Sequence, residues 1–152
     1  MRWLILAIWM GLAASPVAGA TEGRIIKVLP QFLDLKGHES VSPSLYDRDA
    51  YQSYLRRNPD KRAGLQFKIR WKAKPASSRD LRLRLEVRGV SRGEAPKEGK
   101  LEKNVQQVHW YSHWASITMD EKTYREFGEV TAWRVTLWDG ETLLGEQKSF
   151  LW

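Results

Sequence analysis

Six consecutive residues, His109–Trp110–Tyr111–Ser112–His113–Trp114, carry the densest chemistry in this 152-residue chain. On an extended strand their side chains alternate. Trp110, Ser112 and Trp114 take one face, and His109, Tyr111 and His113 take the other. Two histidines four apart are neighbours on a helix, where they can share a metal ion. On a strand they stand about 13 Å apart, too far for one ion. Neither a metal nor any other cofactor is therefore expected. The plain reading is core aromatics flanked by surface histidines. The functional reading keeps Trp110 and Trp114 on the core side and presents His109, Tyr111 and His113 outward. Rings with hydrogen-bonding edges suit a sugar or a peptide backbone.

A second feature is charge. The chain carries a formal net charge of +7. Between Gln66 and Arg92 stand nine basic residues and two acidic ones, Asp80 and Glu86, so this segment alone sums to +7. One reading makes these cations the solvated faces of half-buried strands, where Lys and Arg also discourage edge pairing. The other makes Lys68, Arg70, Lys72, Arg82, Arg84 and Arg88 a docking surface for a polyanion such as a lipid headgroup or an acidic glycan. Topology decides between one patch and two. If the strands around Lys68 and Arg84 form a hairpin, all six cations share a face. If they lie in opposite sheets, the charge splits.

Enzyme signatures are missing. The chain has no G-x-S-x-G elbow, no H-E-x-x-H, no P-loop and no cysteine. The carboxylate pairs Glu98/Glu102 and Asp47/Asp49 read as surface charges. His38 reads as a solvated loop residue, and Tyr46, Tyr51 and Tyr54 as packing for a helix. A non-enzymatic role is the expectation, with a small glycan hydrolase as the competing class.

These residues must be placed by short strands. Leu65, Phe67, Ile69 and Trp71 alternate with Gln66, Lys68, Arg70 and Lys72, and Leu81, Leu83, Leu85 and Val87 alternate with Arg82, Arg84, Glu86 and Arg88. That period of two marks strands with one buried face. Ile25–Leu33 reads as a strand that Pro30 confines to an edge or a bulge. Gly89–Lys100 reads as a loop, Leu101–Val108 as a weak strand and His109–Met119 as a stronger one. Trp133, Val135 and Leu137 point inward from a strand that turns at Asp139–Gly140 into a last one over Leu143–Trp152. Trp71, Trp133 and Leu83 are expected in the core. Two helices interrupt. Asp47 is expected to cap Arg48–Arg57, with Ala50, Tyr51, Tyr54 and Leu55 on one face, and Asp120 to cap Glu121–Phe127, with Gly128 in a left-handed conformation at its end.

Six or seven antiparallel strands at this spacing argue for an all-β sandwich with two short helices. Their number and spacing over Arg24–Trp152 resemble the immunoglobulin-like and fibronectin-III-like sandwiches. The resemblance is one of fold and implies no ligand.

The amino terminus supplies an expected address. Arg2 precedes an apolar run, Leu4–Ala14, and Ala18–Gly19–Ala20 forms a small-residue cleavage pattern. Residues 1–20 therefore read as a cleaved signal peptide and 21–152 as one β-sandwich domain. The mature chain is expected in the bacterial periplasm or outside the cell, with no transmembrane segment. Its lack of cysteine fits a bacterial envelope protein better than a eukaryotic secreted one. An outer-membrane barrel is not expected, because Lys148 and Glu146 would fall on the lipid face two and four residues before Phe150. Export removes nucleic acid as a partner. The expectation is a binding or scaffolding module that meets an envelope protein first and a glycan second.

Overall fold

The computed structural model describes residues 22–74, 80–91, 93, 95–106 and 109–152. The expected signal peptide lies outside the described residues. Seven strands run in two antiparallel sheets: β1 (Gly23–Asp34), β2 (Arg62–Ala73), β3 (Leu81–Val90), β4 (Pro96–Asn104), β5 (His113–Met119), β6 (Glu129–Asp139) and β7 (Thr142–Lys148). Three strands form one sheet in the order β1-β2-β5, and four form the other in the order β4-β3-β6-β7. Helix α1 (Leu45–Arg57) links β1 to β2, and helix α2 (Glu121–Phe127) links β5 to β6. No described helix is long and apolar enough to cross a membrane.

The inner faces follow the alternation in the sequence. Phe67, Ile69 and Trp71 of β2 and Leu83, Leu85 and Val87 of β3 are almost wholly buried, with Val135 and Leu137 of β6 beside them. Trp133 sits at the margin of this core rather than within it. It is half-buried, its ring edge-to-face with Phe67 at 6.3 Å between centroids. β1 is an edge strand, the position Pro30 calls for, and separately has irregularities between Ile25 and Lys27 and between Leu33 and Asp34. Its open edge is covered by a side chain. Gln52 of α1 accepts a hydrogen bond from the Phe32 N–H at 2.8 Å and donates to the Phe32 carbonyl at 2.9 Å. One amide thus stands in for a neighbouring strand's peptide group.

Several local expectations need correction. Residues 96–104 are a strand, so the loop after β3 is shorter than Gly89–Lys100, and Leu101 lies mid-strand. The far end of the expected weak strand, residues 107 and 108, lies outside the described residues. The last strand stops at Lys148, and residues 149–152 form a turn that stays against the sheet. Ser44, not Asp47, caps α1. Asp47 lies in the first turn, where its carboxylate favours the helix dipole and accepts from the Ser42 hydroxyl at 2.5 Å. The buried face of α1 is Gln52 and Leu55; Ala50 and Tyr54 are exposed. Tyr46 is exposed too, so of the three tyrosines only Tyr51 is tied to the sheet, while stacking on Tyr54 at 5.9 Å. α2 has the expected bounds and the Asp120 cap. Gly128 after it has φ +99° but ψ −151°, outside the left-handed helical region. A side chain there would collide with the Val90 carbonyl oxygen.

Asp34 ties the end of β1 to α1. Its carboxylate accepts from the Lys36 and His38 backbone N–H groups at 2.8 and 2.9 Å and from the Tyr51 hydroxyl at 2.7 Å. Desolvation alone would raise its pKa. The hydrogen bonds from His38, Tyr51 and Lys36 together outweigh that and hold the carboxyl below its usual range. The same bond to Asp34 pushes the Tyr51 phenol up to about 12. A carboxyl with a lowered folded-state pKa stabilises the protein above its unfolded pKa, about 3.9, and loses that contribution as pH falls through its folded value. Asp34→Asn is therefore expected to cost about 1–2 kcal/mol at pH 7. That difference should shrink in urea titrations as pH falls below about 4. A gap between the two proteins that stayed constant down to pH 2 would contradict this assignment.

Candidate functional site

The aromatic run does not form one extended strand. β5 begins at His113, and residues 109–112 bend before it. The bend brings three rings together. His109 stacks on Tyr111 at 4.9 Å, Tyr111 on His113 at 5.5 Å and His109 on His113 at 6.1 Å, with interplanar angles of 12–22°. The imidazoles are thus neighbours rather than about 13 Å apart, since the straight-strand spacing no longer applies. The His113 ring also lies 5.5 Å from Trp71, its register partner on β2. Among the described residues no group of three or more His, Cys, Asp or Glu side chains gathers as a metal-ligand set.

The expected roles of the tryptophans are also reversed. Trp110 is 75% exposed and Trp114 is 53% exposed, so neither anchors the strand from the core. On β5 the inward positions are Ile117 and Met119, and Trp114, opposite Arg70 of β2, points out from the sheet. Trp110 lies near Lys72, whose ammonium is 5.8 Å from its ring. Arg70 Nε donates to Ser112 Oγ at 2.9 Å, which fixes the bend to the strand. Half of the aromatic run and half of the basic segment thereby share one surface: Lys68, Arg70 and Lys72 from β2, with Trp110 and Trp114 among them.

A groove of about 600 Å³ continues this surface. Its walls are Leu29, Arg48, Lys68, Lys103, Trp114 and Ser116. Lys103 reaches it from β4, at the edge of the other sheet, and donates to the Ser116 carbonyl at 3.0 Å. Lys68 pairs with Glu39, and Arg48 with Asp49 at 3.2 Å. The hydrogen bond from Lys68 holds the Glu39 carboxyl below the usual range against the opposing effect of desolvation. Arg48, Leu29 and Lys103 had no local signal in the sequence. They enter the site from a helix, an edge strand and the opposite sheet, so only the fold assembles them.

The other three cations of the basic segment lie elsewhere. β2 and β3 belong to different sheets, so Arg82, Arg84 and Arg88 face away from Lys68, Arg70 and Lys72. The six-cation face that a hairpin would have made does not exist. On the β3 side the cations are also paired with carboxylates. Glu102 meets Arg84 at 2.8 Å, Lys100 at 3.2 Å and Arg82 at 3.8 Å; Arg88 meets Glu98 at 3.0 Å; Arg134 meets Glu86 at 2.7 Å. The Arg84 hydrogen bond holds the Glu102 carboxyl below its usual range. Aromatic faces engage the same arginines: Trp138 lies 4.9 Å from Arg84, and Trp152 lies 4.1 Å from Arg88 and 5.0 Å from Arg134. This surface is an interlocked ladder that holds the turned carboxyl-terminal residues onto the sheet.

The carboxylate pairs are similarly engaged. Glu98 and Glu102 are four residues apart on β4, about 13 Å along the strand, beyond the 5–9.5 Å that glycosidic cleavage uses. His38 is exposed and sits 3.9 Å from Asp34, beside the loop that Asp34 orders. No protein-family model, no curated protein and no solved structure matches this chain.

Proposed function

We propose that this chain is an exported, non-enzymatic binding module of the bacterial cell envelope, with a fold of the immunoglobulin or fibronectin-III kind, and that it holds its partner on the outer face of the β1-β2-β5 sheet. The observation that carries the reading is the exposure of Trp114 opposite Arg70 and of Trp110 beside Lys72. Two large rings left in water are costly unless something covers them. Tryptophan and arginine are the residues most enriched among those that dominate binding energy. The three-on-four strand order, with β2 and β3 in opposite sheets, supports the fold reading. The apolar run ending in Ala18–Gly19–Ala20 supports export. The engagement of Glu98 and Glu102 with arginines supports a role without catalysis.

The test is retention on washed envelope preparations. Trp110→Ala/Trp114→Ala should fold with an unchanged circular dichroism spectrum, since neither ring is in the core. Its affinity for the envelope fraction should fall by more than about tenfold, the usual consequence of truncating a central aromatic contact. Undiminished retention of a folded double variant would remove this face from consideration and the proposed role with it.

A further inference from the structure

Resting on that reading, we infer that the groove beside Trp114 takes a linear polysaccharide bearing carboxylates, a polyuronate, as its ligand. The charge on the face is the first argument. Lys27, Arg48, Lys68, Arg70, Lys72 and Lys103 border it, and the acids paired with them there are Glu39 and Asp49. The opposite sheet, by contrast, meets its arginines with Glu86, Glu98 and Glu102. Six cations to two acids here, against five to three among the pairs of the opposite sheet, makes this the more positive face where the indoles are exposed. An anionic partner is the complementary one.

Spacing is the second argument. Lys68, Arg70 and Lys72 alternate along β2, so successive cations stand about 7 Å apart in a line. Trp114 lies opposite the second of these and Trp110 beside the third. A ring and a charge repeated along one line match a polymer whose every unit offers a flat, C–H-lined ring and one carboxylate. A bilayer surface offers headgroup charge without rings to stack, and it would not enter a groove whose wall is an indole. The groove's apolar floor at Leu29 and its hydroxyl at Ser116 suit a sugar with one hydrophobic face and one hydrogen-bonding edge.

Glu39 gives the inference its sharpest test. Its carboxylate already holds Lys68 at the rim of the groove. A ligand carboxylate must share that lysine and approach a like charge. Removing the charge should therefore tighten binding, while removing the lysine should weaken it. Affinity electrophoresis or calorimetry with polygalacturonate as the probe separates these effects, with dextran as the neutral control and phosphatidylglycerol vesicles as the lipid control. Lys68→Ala and Trp114→Ala are each expected to weaken polygalacturonate binding about tenfold or more, and Glu39→Gln to strengthen it about threefold. Binding of the unaltered protein should weaken with salt as exposed charges are screened over about 8–10 Å, and dextran should not bind.

Several results would overturn the inference: binding to vesicles but not to polygalacturonate, equal binding of dextran, or indifference to Lys68 and Glu39 together. Thermal melting checks that each variant is folded, and the conservative Lys68→Arg should retain binding where Lys68→Ala loses it. The two proposals fail separately. If polygalacturonate does not bind but the double tryptophan variant still loses envelope retention, the ligand class is wrong and the binding face stands. If retention survives that variant, the face itself is wrong.

Discussion

Trp71→Ala is expected to cost about 3–5 kcal/mol, the usual range for deleting a large buried aromatic. Trp71 is 1% exposed and is the largest fully buried side chain described. It lies between Ile25 of β1 and His113 of β5 in register, under the stacked rings that begin the aromatic run. Removing the indole leaves a void that the sheet hydrogen bonds prevent the strands from closing, so both burial and packing are lost. The midpoint of urea unfolding should fall with little change in slope, since the same surface is exposed on unfolding. Trp71→Phe should be far milder, below about 2 kcal/mol, because most of the ring volume is kept. The indole N–H that phenylalanine lacks has no hydrogen-bond partner among the described residues, so nothing polar is orphaned by its removal. A loss below about 1.5 kcal/mol for the alanine variant would mean that the end of the sandwich collapses onto the vacancy.

That prediction rests on a strand legible in the sequence. Leu65–Trp71 and Leu81–Val87 alternate strictly because one face of each is dry, and burial is a local constraint repeated at every second residue. α2 is legible for a similar reason: Asp120 and Gly128 carry its two ends in their own chemistry. β4 is not. Its residues, PKEGKLEKN, have little intrinsic preference for a strand, and their partners are on β3, where Glu98 faces Arg88, Lys100 faces Glu86 and Glu102 faces Arg84. The strand is specified by pairs, and a pair cannot be seen from one member.

The candidate site shows the same division. The aromatic run and the basic segment each stand out by composition, yet their meeting depends on Arg70 reaching Ser112, 42 residues away. Trp114 turns outward because Ile117 and Met119 set the inward positions of β5, whereas Trp110 precedes the strand, in a bend that places three rings in one stack. Period-two reasoning cannot foresee that bend, because it assumes the strand it is testing. Trp133 illustrates a milder failure. The alternation correctly turns it inward onto Phe67, yet it stays half-buried at the margin of the core.

The second large effect is expected at a residue with no sequence signal at all. Arg62 begins β2 and is 6% exposed, a position where an arginine persists only if its charge is satisfied. Its guanidinium meets three elements. Nε donates to the Leu55 carbonyl at 2.6 Å, and Nη2 donates to the Arg56 carbonyl, so the last turn of α1 is capped from outside. Nη1 pairs with Glu129 at the start of β6 at 3.1 Å, and the plane of the group lies 4.1 Å from the Phe32 ring of β1. Arg62→Ala is expected to cost about 3 kcal/mol, chiefly because buried carbonyls at the helix end lose charge-assisted donors worth about 1.5–3 kcal/mol each in a non-additive sum. Glu129 is 57% exposed on its side chain, so water can replace its partner and the ion pair itself contributes little. Glu129→Gln should accordingly cost less than about 1 kcal/mol. Arg62→Lys should rescue poorly, since one ammonium cannot span two carbonyls, a carboxylate and a ring face in the fixed directions a guanidinium provides. Hydrogen exchange should report the difference locally, with protection lost first in α1. Full rescue by lysine would show that charge alone matters there. The expected pattern would show instead that one forked side chain holds α1 against the sheet whose outer face carries the proposed site.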